Sequence, residues 1–293
     1  MRDYFIYSFY RLAGSLARHL SPRVAYGTAG WLGWLLYVLS PGLRRNYIHN
    51  MQHVLGSDAP PSQVRAHARR ICANLIKGYY ELFRLDRLSA DEILSRVKFE
   101  GVAYAEEALA RGRGGIVGAI HFGNVDMVAQ FPVLKGVPVT SVVEHIRPER
   151  LYSYVLRLRT SHGLRMVPSD GPMLSLFRAL KRGELIGLAC DRAAAGNVRE
   201  VMFFGCPARL PQGPVEMALR TGAPLLPVRA LRLPDESFKI TIEPPIDVES
   251  TGDMEADIAR GMERLVRVME RWIAANPDQW LVSVPIWQQA EQP

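Results

Sequence analysis

The sequence is poor in cysteine and lacks the short motifs that mark several common enzyme classes. Its three cysteines, Cys72, Cys190 and Cys206, lie far apart and form no C-x-x-C pair. This spacing argues against a disulfide scaffold and a cysteine-based zinc site, and it suits a reducing compartment. The chain contains no G-x-S-x-G, G-x-x-x-x-G-K-[ST] or H-E-x-x-H motif, which argues against a serine hydrolase, a P-loop enzyme and a zinc hydrolase.

Apolar runs of full membrane-spanning length are also missing. The main uncharged apolar run, residues 24–39, has 16 residues, whereas a transmembrane helix needs about 20. Its residues Trp31 and Trp34 suit a lipid interface. In the preceding segment, residues 4–20, aromatic and aliphatic side chains recur at helical spacing. Monotopic embedding of two amphipathic or hydrophobic helices is the favoured interpretation, and two core helices of a soluble domain are the alternative.

Positive charge is concentrated at the start of the chain. The net charge is +7, and the first fifty residues contain six arginines and one acidic residue, a net of +5. A basic segment attracts either anionic lipid or nucleic acid. Here the aromatic residues stand among leucine, valine and alanine, which favours lipid over nucleic acid. We therefore expect residues 1–45 to be a membrane-associating helical segment that binds an anionic membrane surface.

From about Val97 onward, short apolar runs alternate with amphipathic stretches. The apolar runs are typical of buried strands and comprise Ile116–Ile120, Val137–Val143, Leu185–Ala189, Leu225–Leu231 and Lys239–Ile242. Helical patterns cover residues 60–84, 102–111, 124–134, 148–162, 172–182, 213–221 and 253–275. This alternation predicts an α/β fold with a mixed, largely parallel central sheet flanked by helices. Residues 46–293 are then one α/β domain, in which residues 46–95 form a helical part.

A histidine directly follows a predicted buried strand, and a carboxylate stands five residues later. His121 comes after Ile116–Ile120, and the turn at Gly123-Asn124 opens the helix that begins with Asp126 in its first turn. Ligands in α/β sheets bind at this carboxyl end of the strands. The turn can bring Asp126 to one imidazole nitrogen, which leaves the other nitrogen free to take a proton. Spacing alone leaves a catalytic base and a structural hydrogen bond as open alternatives.

The pattern His121-x4-Asp126 resembles the His-x4-Asp/Glu motif of the glycerolipid and lipid A acyltransferases. Further blocks resemble that family in the same order: Asp191-Arg192, Glu200 to Gly205, Pro211-x-Gly213-Pro214, Ala218 to Pro224, Pro244-Pro245-Ile246 and Asn276 to Trp280. The resemblance covers about residues 1–288. Within the family, the ending Trp280-x4-Pro285-x-Trp287 looks more like the phosphatidylinositol mannoside branch than the lipid A branch. Val125 departs from the tryptophan, and Ala193 from the acidic residue, that the family often has at these places.

The resemblance implies a glycerolipid acyltransferase-like fold and a transfer reaction at the cytoplasmic face of the inner membrane. A fatty acyl group would move from acyl-CoA or acyl-carrier protein, as co-substrate, to a hydroxyl of a membrane glycolipid. His121 would take the proton from that hydroxyl, and Asp126 or Glu200 would orient the imidazole. Resemblance to the mannoside branch favours Glu200 as the direct partner. The thioester is already activated, so no metal and no cofactor are expected.

Three further positions match family blocks expected to bind the acceptor headgroup and its phosphate. Glu144 opens an E-x-x-x-P-E segment, Arg159 precedes Gly163 in an Arg-x-x-x-Gly setting, and Arg192 follows Asp191. An arginine suits a phosphate because its guanidinium presents a fork of donors. For Glu144 and Arg159 a purely structural role is an equal alternative.

The competing interpretation is a membrane lipid-binding protein that keeps the fold without catalysis. Lipid binding alone needs no oriented base. The joint presence of His121, Asp126 and Glu200 therefore favours an enzyme over a binding protein.

Overall fold

The computed structural model describes residues 1–193 and 196–287; residues 194–195 and the end of the predicted domain, residues 288–293, lie outside it. The chain begins with four helices: α1 (Arg2–His19), α2 (Pro22–Leu39), α3 (Pro41–Leu55) and α4 (Pro61–Arg84). A turn of 3-10 helix (Leu85–Arg87) and the short helix α5 (Ala90–Leu94) follow. The two helices expected within residues 1–45 and the long helix expected near residues 60–84 are thus present.

Helices α1 and α2 both pack against α4. Ser21 begins α2, because its hydroxyl accepts a hydrogen bond from the backbone N–H of Val24 and Pro22 occupies the first turn. Gly33 lies against the backbone of Ala73 on α4, and a side chain at this position would overlap it. The absence of a side chain at Gly33 therefore allows the close approach of the two helices.

The outer surface of α1 and α2 is strongly apolar. Large exposed side chains on these helices are Tyr4, Phe5, Phe9, Leu12, Leu16, Val24, Trp31, Trp34, Val38 and Leu39. Exposed apolar patches of this kind mark interaction surfaces for lipid or protein. Over residues 1–193 and 196–287, no helix combines the length and the apolar composition needed to cross a membrane.

The rest of the chain alternates strands and helices. Its strands are β1 (Val97–Glu100), β2 (Gly115–Ala119), β3 (Val139–Val143), β4 (Arg165–Pro168), β5 (Leu185–Ala189), β6 (Val198–Phe203), β7 (Cys206–Pro211), β8 (Leu225–Arg232) and β9 (Phe238–Ile242). Its helices are α6 (Val102–Ala110), α7 (Val125–Val128), α8 (Gln130–Leu134), α9 (Glu149–Arg159), α10 (Leu174–Lys181), α11 (Gly213–Thr221) and α12 (Met254–Ala275). The helix expected over residues 124–134 is divided into α7 and α8, because Pro132 lacks the N–H that a continuous helix requires.

Seven strands form the central sheet in the order β1-β9-β8-β2-β5-β3-β4. The strands β8, β2, β5, β3 and β4 are mutually parallel, and β9 is antiparallel to β8 and parallel to β1. Strands β6 and β7 form a separate antiparallel hairpin. The predicted α/β fold with a mixed, largely parallel sheet is confirmed.

The two faces of the sheet have different surroundings because successive strand residues point to opposite sides. On β2, Ile116 is fully buried in the larger core, which the sheet forms with helices such as α10, α11 and α12. Its neighbour Val117 points to the other face, where it lines an internal cavity. The second face is covered by α4, α6, α8 and α9. The sheet therefore supplies one wall of the cavity.

After α12 the chain returns across the carboxyl ends of the strands. Trp280 forms an isolated antiparallel bridge with Phe122, and the N–H of Leu281 donates to the carbonyl oxygen of His121 at 2.7 Å. Asn50 on α3 donates to the carbonyl oxygens of Val282 and Val284. This C-terminal segment joins the N-terminal helices to the end of β2, where the candidate site lies.

Candidate active site

His121 stands two residues beyond the end of β2, at the carboxyl edge of the parallel strands. The chain turns sharply at Gly123, which has a φ of 62°. A Cβ at this position would overlap the carbonyl oxygen of Ala230 on β8, so a glycine is required. Asn124 then caps α7, because its Oδ1 accepts a hydrogen bond from the N–H of Met127.

The carboxylate that holds His121 is Asp191, which follows β5. Strands β2 and β5 are parallel neighbours with Ala119 opposite Ala189, so the residues two positions further on also lie side by side. The Asp191 Oδ1 is 2.9 Å from the His121 Nδ1. Its Oδ2 accepts from the backbone N–H of His121 and from the indole N–H of Trp280, both at 2.8 Å. An Nδ1–H that donates to a carboxylate leaves Nε2 as the proton acceptor.

The side chains of His121 and Asp191 differ in their exposure to solvent. The Asp191 side chain is 0% exposed, whereas the His121 side chain is 37% exposed. Burial acts to lower the pKa of His121, but the charge of Asp191 and its hydrogen bond outweigh burial and raise this pKa above its ordinary value. Burial acts to raise the pKa of Asp191, but His121 and the bonds from Trp280 and the backbone lower it. The pair is thus a fixed anion beneath an accessible imidazole.

The structure differs here from the expectation that Glu200 or Asp126 orients the ring. Glu200 is exposed on β6, in register with Arg209 of β7. Asp126 lies in the first turn of α7, but its Oδ1 is 2.7 Å from Nε of Arg159 on α9. Asp126 therefore pairs with the guanidinium of Arg159. His121 pairs instead with Asp191, which follows the neighbouring strand β5.

The three residues expected to bind substrate lie around the same opening. Glu144, just past β3, is 2.6 Å from the NH2 of Arg192, just past β5. Arg159, Glu144 and Arg192 line the cavity together with His121 and Asp126. Neighbouring parallel strands end at one edge of the sheet, which is why residues so far apart in sequence meet there.

A large apolar cavity extends from His121 into the fold. Its volume is about 1020 Å³. Side chains from all seven strands of the sheet line it, among them Phe99, Val117, Val139, Met166, Leu185, Leu226 and Ile240. Helices close it on the other side with side chains that include Leu75, Leu82, Leu109, Val128, Phe131 and Val155. The lining is mostly apolar, and its polar groups include those of His121, Asp126, Glu144, Arg159 and Arg192. Such a lining suits a ligand with a long apolar part and a polar reacting end.

The sequence pattern predicts no role for two residues of the site. Asp191 and Trp280 stand in family-like blocks, but their spacing from His121 gives no sign of contact. A usable signal is that Asp191, like His121, directly follows a buried apolar run. The indole of Trp280 is almost fully buried and bonds the carboxylate that holds His121, so Trp280 acts through Asp191.

An accessible histidine, held by a buried aspartate beside an apolar cavity, is an arrangement that suits an α/β enzyme acting on a substrate with a long apolar part. The family model described as bacterial lipid A biosynthesis acyltransferase matches residues 1–289. The chain therefore belongs to this family of acyltransferases.

Two similar proteins also carry the name of an acyltransferase. The chain is 32% identical over 248 residues to a phosphatidylinositol mannoside acyltransferase of Mycobacterium tuberculosis, a match that covers 81% of this chain and 75% of the relative. It is 27% identical over 285 residues to a protein of the same name from Mycolicibacterium smegmatis, with 95% of this chain and 90% of the relative covered. The sequence-based recognition of the family, closest to the mannoside branch, is confirmed.

Proposed function

We propose that this protein transfers a fatty acyl group from acyl-CoA or acyl-carrier protein to a hydroxyl of a membrane glycolipid, with His121 as the general base. The acceptor is of the phosphatidylinositol mannoside or lipid A type. The observation that supports this proposal most strongly is the His121–Asp191 pair at the mouth of the cavity. The carboxylate fixes the ring by its Nδ1, and the accessible imidazole lines the same cavity that would hold an apolar acyl chain.

In the proposed mechanism, Nε2 of His121 accepts the proton of the acceptor hydroxyl as its oxygen attacks the thioester carbonyl carbon. The new carbon–oxygen bond forms, the carbon–sulfur bond breaks, and the imidazolium returns its proton to the departing thiolate. The charge of Asp191 stabilises the imidazolium in between. No covalent acyl-enzyme, metal ion or cofactor takes part in these steps.

The remaining polar residues at the mouth are assigned to the substrates. Arg159 and Arg192 present guanidinium groups that suit the phosphate of an acceptor headgroup, and Glu144 suits its hydroxyls. Asp126 supports this role because it holds Arg159 in place. Glu200 has no step in this mechanism, because Asp191 occupies the place at Nδ1.

The apolar cavity is proposed as the site of the acyl chain, so a larger side chain in its wall should favour shorter chains. Val117 lies on β2, four residues before His121. At the spacing of an extended strand, the Cα atoms of the two residues are about 13 Å apart. We expect Val117→Phe to shift the preferred donor toward shorter acyl-CoA, as measured by kcat/KM across a chain-length series. Ile116→Val on the same strand points into the core instead, and it should lower stability by about 1 kcal/mol without changing the order of preference. An unchanged order in Val117→Phe would contradict the assignment.

We also propose that the apolar surface of α1 and α2 holds the protein on the cytoplasmic face of the inner membrane. Trp31 and Trp34 are 61% and 47% exposed, as expected of side chains that enter a lipid interface. The double variant Trp31→Glu, Trp34→Glu should bind anionic vesicles at least about tenfold more weakly in a sedimentation assay. Met202→Glu removes an exposed apolar side chain from the distant hairpin and is the matched control. Equal binding by all three proteins would refute this surface.

The reaction class can be tested by incubating the protein with radiolabelled palmitoyl-CoA and a membrane lipid extract. Label in a glycolipid band with the wild type but not with His121→Ala is the expected result. If palmitoyl-CoA gives no product, acyl-carrier protein is the donor to try next. Absence of transfer from both donors, with lipid binding retained, would replace the proposal with the competing interpretation of a lipid-binding protein.

A further inference from the structure

A buried ion pair lies close to the site but is not part of its reacting groups. Glu81 on α4 is 2% exposed, and Arg232 at the end of β8 is 5% exposed. Their contact is bidentate: NH1 of Arg232 donates to Oε1 at 2.7 Å, and NH2 donates to Oε2 at 2.6 Å. Replacing a buried ion pair by apolar side chains is often neutral or stabilising, so stability alone is a weak reason for its presence.

The carboxylate of Glu81 also accepts two hydrogen bonds from other elements. The hydroxyl of Tyr26 on α2 donates to Oε1 at 2.8 Å. The side-chain amide of Asn124 donates to Oε2 at 2.5 Å. Asn124 is the residue that caps α7, and it lies between His121 and Asp126 in the chain. Glu81 therefore holds the loop that carries the proposed base.

Arg232 reaches the opposite side of the same site through its backbone. Its N–H donates to Oε1 of Gln279, and its carbonyl oxygen accepts from Nε2 of Gln279, both at 2.8 Å. The carbonyl oxygen of Gln279 in turn accepts from the N–H of Gly123. The next residue, Trp280, donates to Asp191. One ion pair thus anchors both segments that enclose the His121–Asp191 pair.

We infer that Glu81 and Arg232 are positioning residues for the transfer reaction: together they hold residues 121–126 and 279–281 in the geometry that keeps the imidazole on its carboxylate. This inference rests on the proposed function, in which His121 is the base. Small errors in the position of a catalytic group are costly, and a displacement of about 1 Å can reduce a rate about 100-fold. The network should therefore affect kcat more than KM.

Asn124→Asp tests the inference with the least change in shape. The variant keeps the oxygen that caps α7, removes the amide that donates to Glu81, and places a second carboxylate against it. We expect kcat to fall about 10- to 100-fold with KM nearly unchanged. The double variant Glu81→Gln, Asn124→Asp restores a donor and an acceptor between the two positions, and it should regain part of the lost kcat. Tyr26→Phe removes a single bond to Glu81 and should have a smaller effect.

Asp257→Asn is the matched control for loss of stability. Asp257 is also a buried carboxylate paired with an arginine, Arg260, but it lies at the start of α12 and bonds Thr251. We expect this variant to lower the melting temperature while leaving kcat within about twofold. A similar loss of kcat in Asp257→Asn would show that Asn124→Asp acts through stability alone and would overturn the inference.

An NMR measurement gives a readout that does not depend on activity. The Nδ1 proton of His121 should resonate far downfield in protein labelled with 15N-histidine, and His121→Ala identifies the signal. We expect the signal to shift or broaden in Asn124→Asp and to stay in place in Asp257→Asn. An unchanged signal and an unchanged kcat in Asn124→Asp would overturn the inference. If the wild type transfers no acyl group, the proposed function fails, and the NMR signal still decides whether Glu81 positions the ring.

Discussion

Replacing His121 with alanine is expected to lower kcat/KM by about 10²- to 10⁴-fold, the usual contribution of a positioned general base. The acceptor hydroxyl is a poor nucleophile until its proton is removed, and Nε2 of His121 is the nitrogen left free to remove it. The substrates remain able to bind, since the apolar cavity and the arginines at its mouth are unchanged. The loss should therefore appear in kcat, measured by transfer from a labelled acyl thioester at saturating acceptor.

The control for this variant is His162→Ala. His162 also has a defined place, because its Nε2 is 2.8 Å from the carbonyl oxygen of Leu85, but it lies away from the cavity mouth. Its replacement should leave kcat within about twofold. Transfer by His121→Ala at a rate within tenfold of the wild type would show that His121 is not the base.

The second large effect is expected for Asp191→Asn, which should lower kcat/KM by about 10²- to 10⁴-fold, since the orienting carboxylate of a comparable histidine has an effect of this size. It should also move the pH profile. Asp191 raises the pKa of His121 above the ordinary value of about 6.5. The base works only when unprotonated, so the acid limb of kcat/KM in the wild type should lie above this value. Without the carboxylate, burial lowers the pKa, and the acid limb should move to lower pH.

Trp280→Phe separates the charge of Asp191 from its hydrogen bonds. This variant removes the indole N–H that donates to Oδ2 but keeps the carboxylate next to His121. We expect a smaller loss of kcat/KM than in Asp191→Asn and an acid limb that stays above the ordinary histidine value. An acid limb that stays in place or moves to higher pH in Asp191→Asn would contradict the assignment of Asp191 as the partner of His121.

The central part of the fold could be predicted from the sequence because buried parallel strands are nearly continuous apolar runs. The strand expected at Leu185–Ala189 has those bounds in the structure, and the strand expected at Ile116–Ile120 is displaced by one residue. The edge strands β1 and β4 were not predicted. Their sequences, VKFE and RMVP, are short and partly polar, since an edge strand is covered less completely.

The place of His121 could be predicted for the same reason, but its partner could not. Asp126 is close to His121 in sequence, and that proximity predicts a contact between them. In the structure, the carboxylate of Asp126 pairs with Arg159 instead. Asp191 is 70 residues away and meets His121 only because β5 lies beside β2. The order of strands in a sheet depends on packing over the whole chain, and no local pattern records it.

We propose above that this chain forms an ester between a fatty acyl group and a glycolipid hydroxyl, with His121 as the base. The most direct measurement is mass-spectrometric analysis of purified phosphatidylinositol mannoside in vesicles after incubation with isotopically labelled palmitoyl-CoA, for wild type and His121→Ala. We expect one added labelled acyl group, removable by mild base as an ester, with the wild type and almost none with the variant. Equal product from both proteins would contradict the role of His121. No product from the wild type, with this donor or with acyl-carrier protein, would contradict the proposed reaction itself.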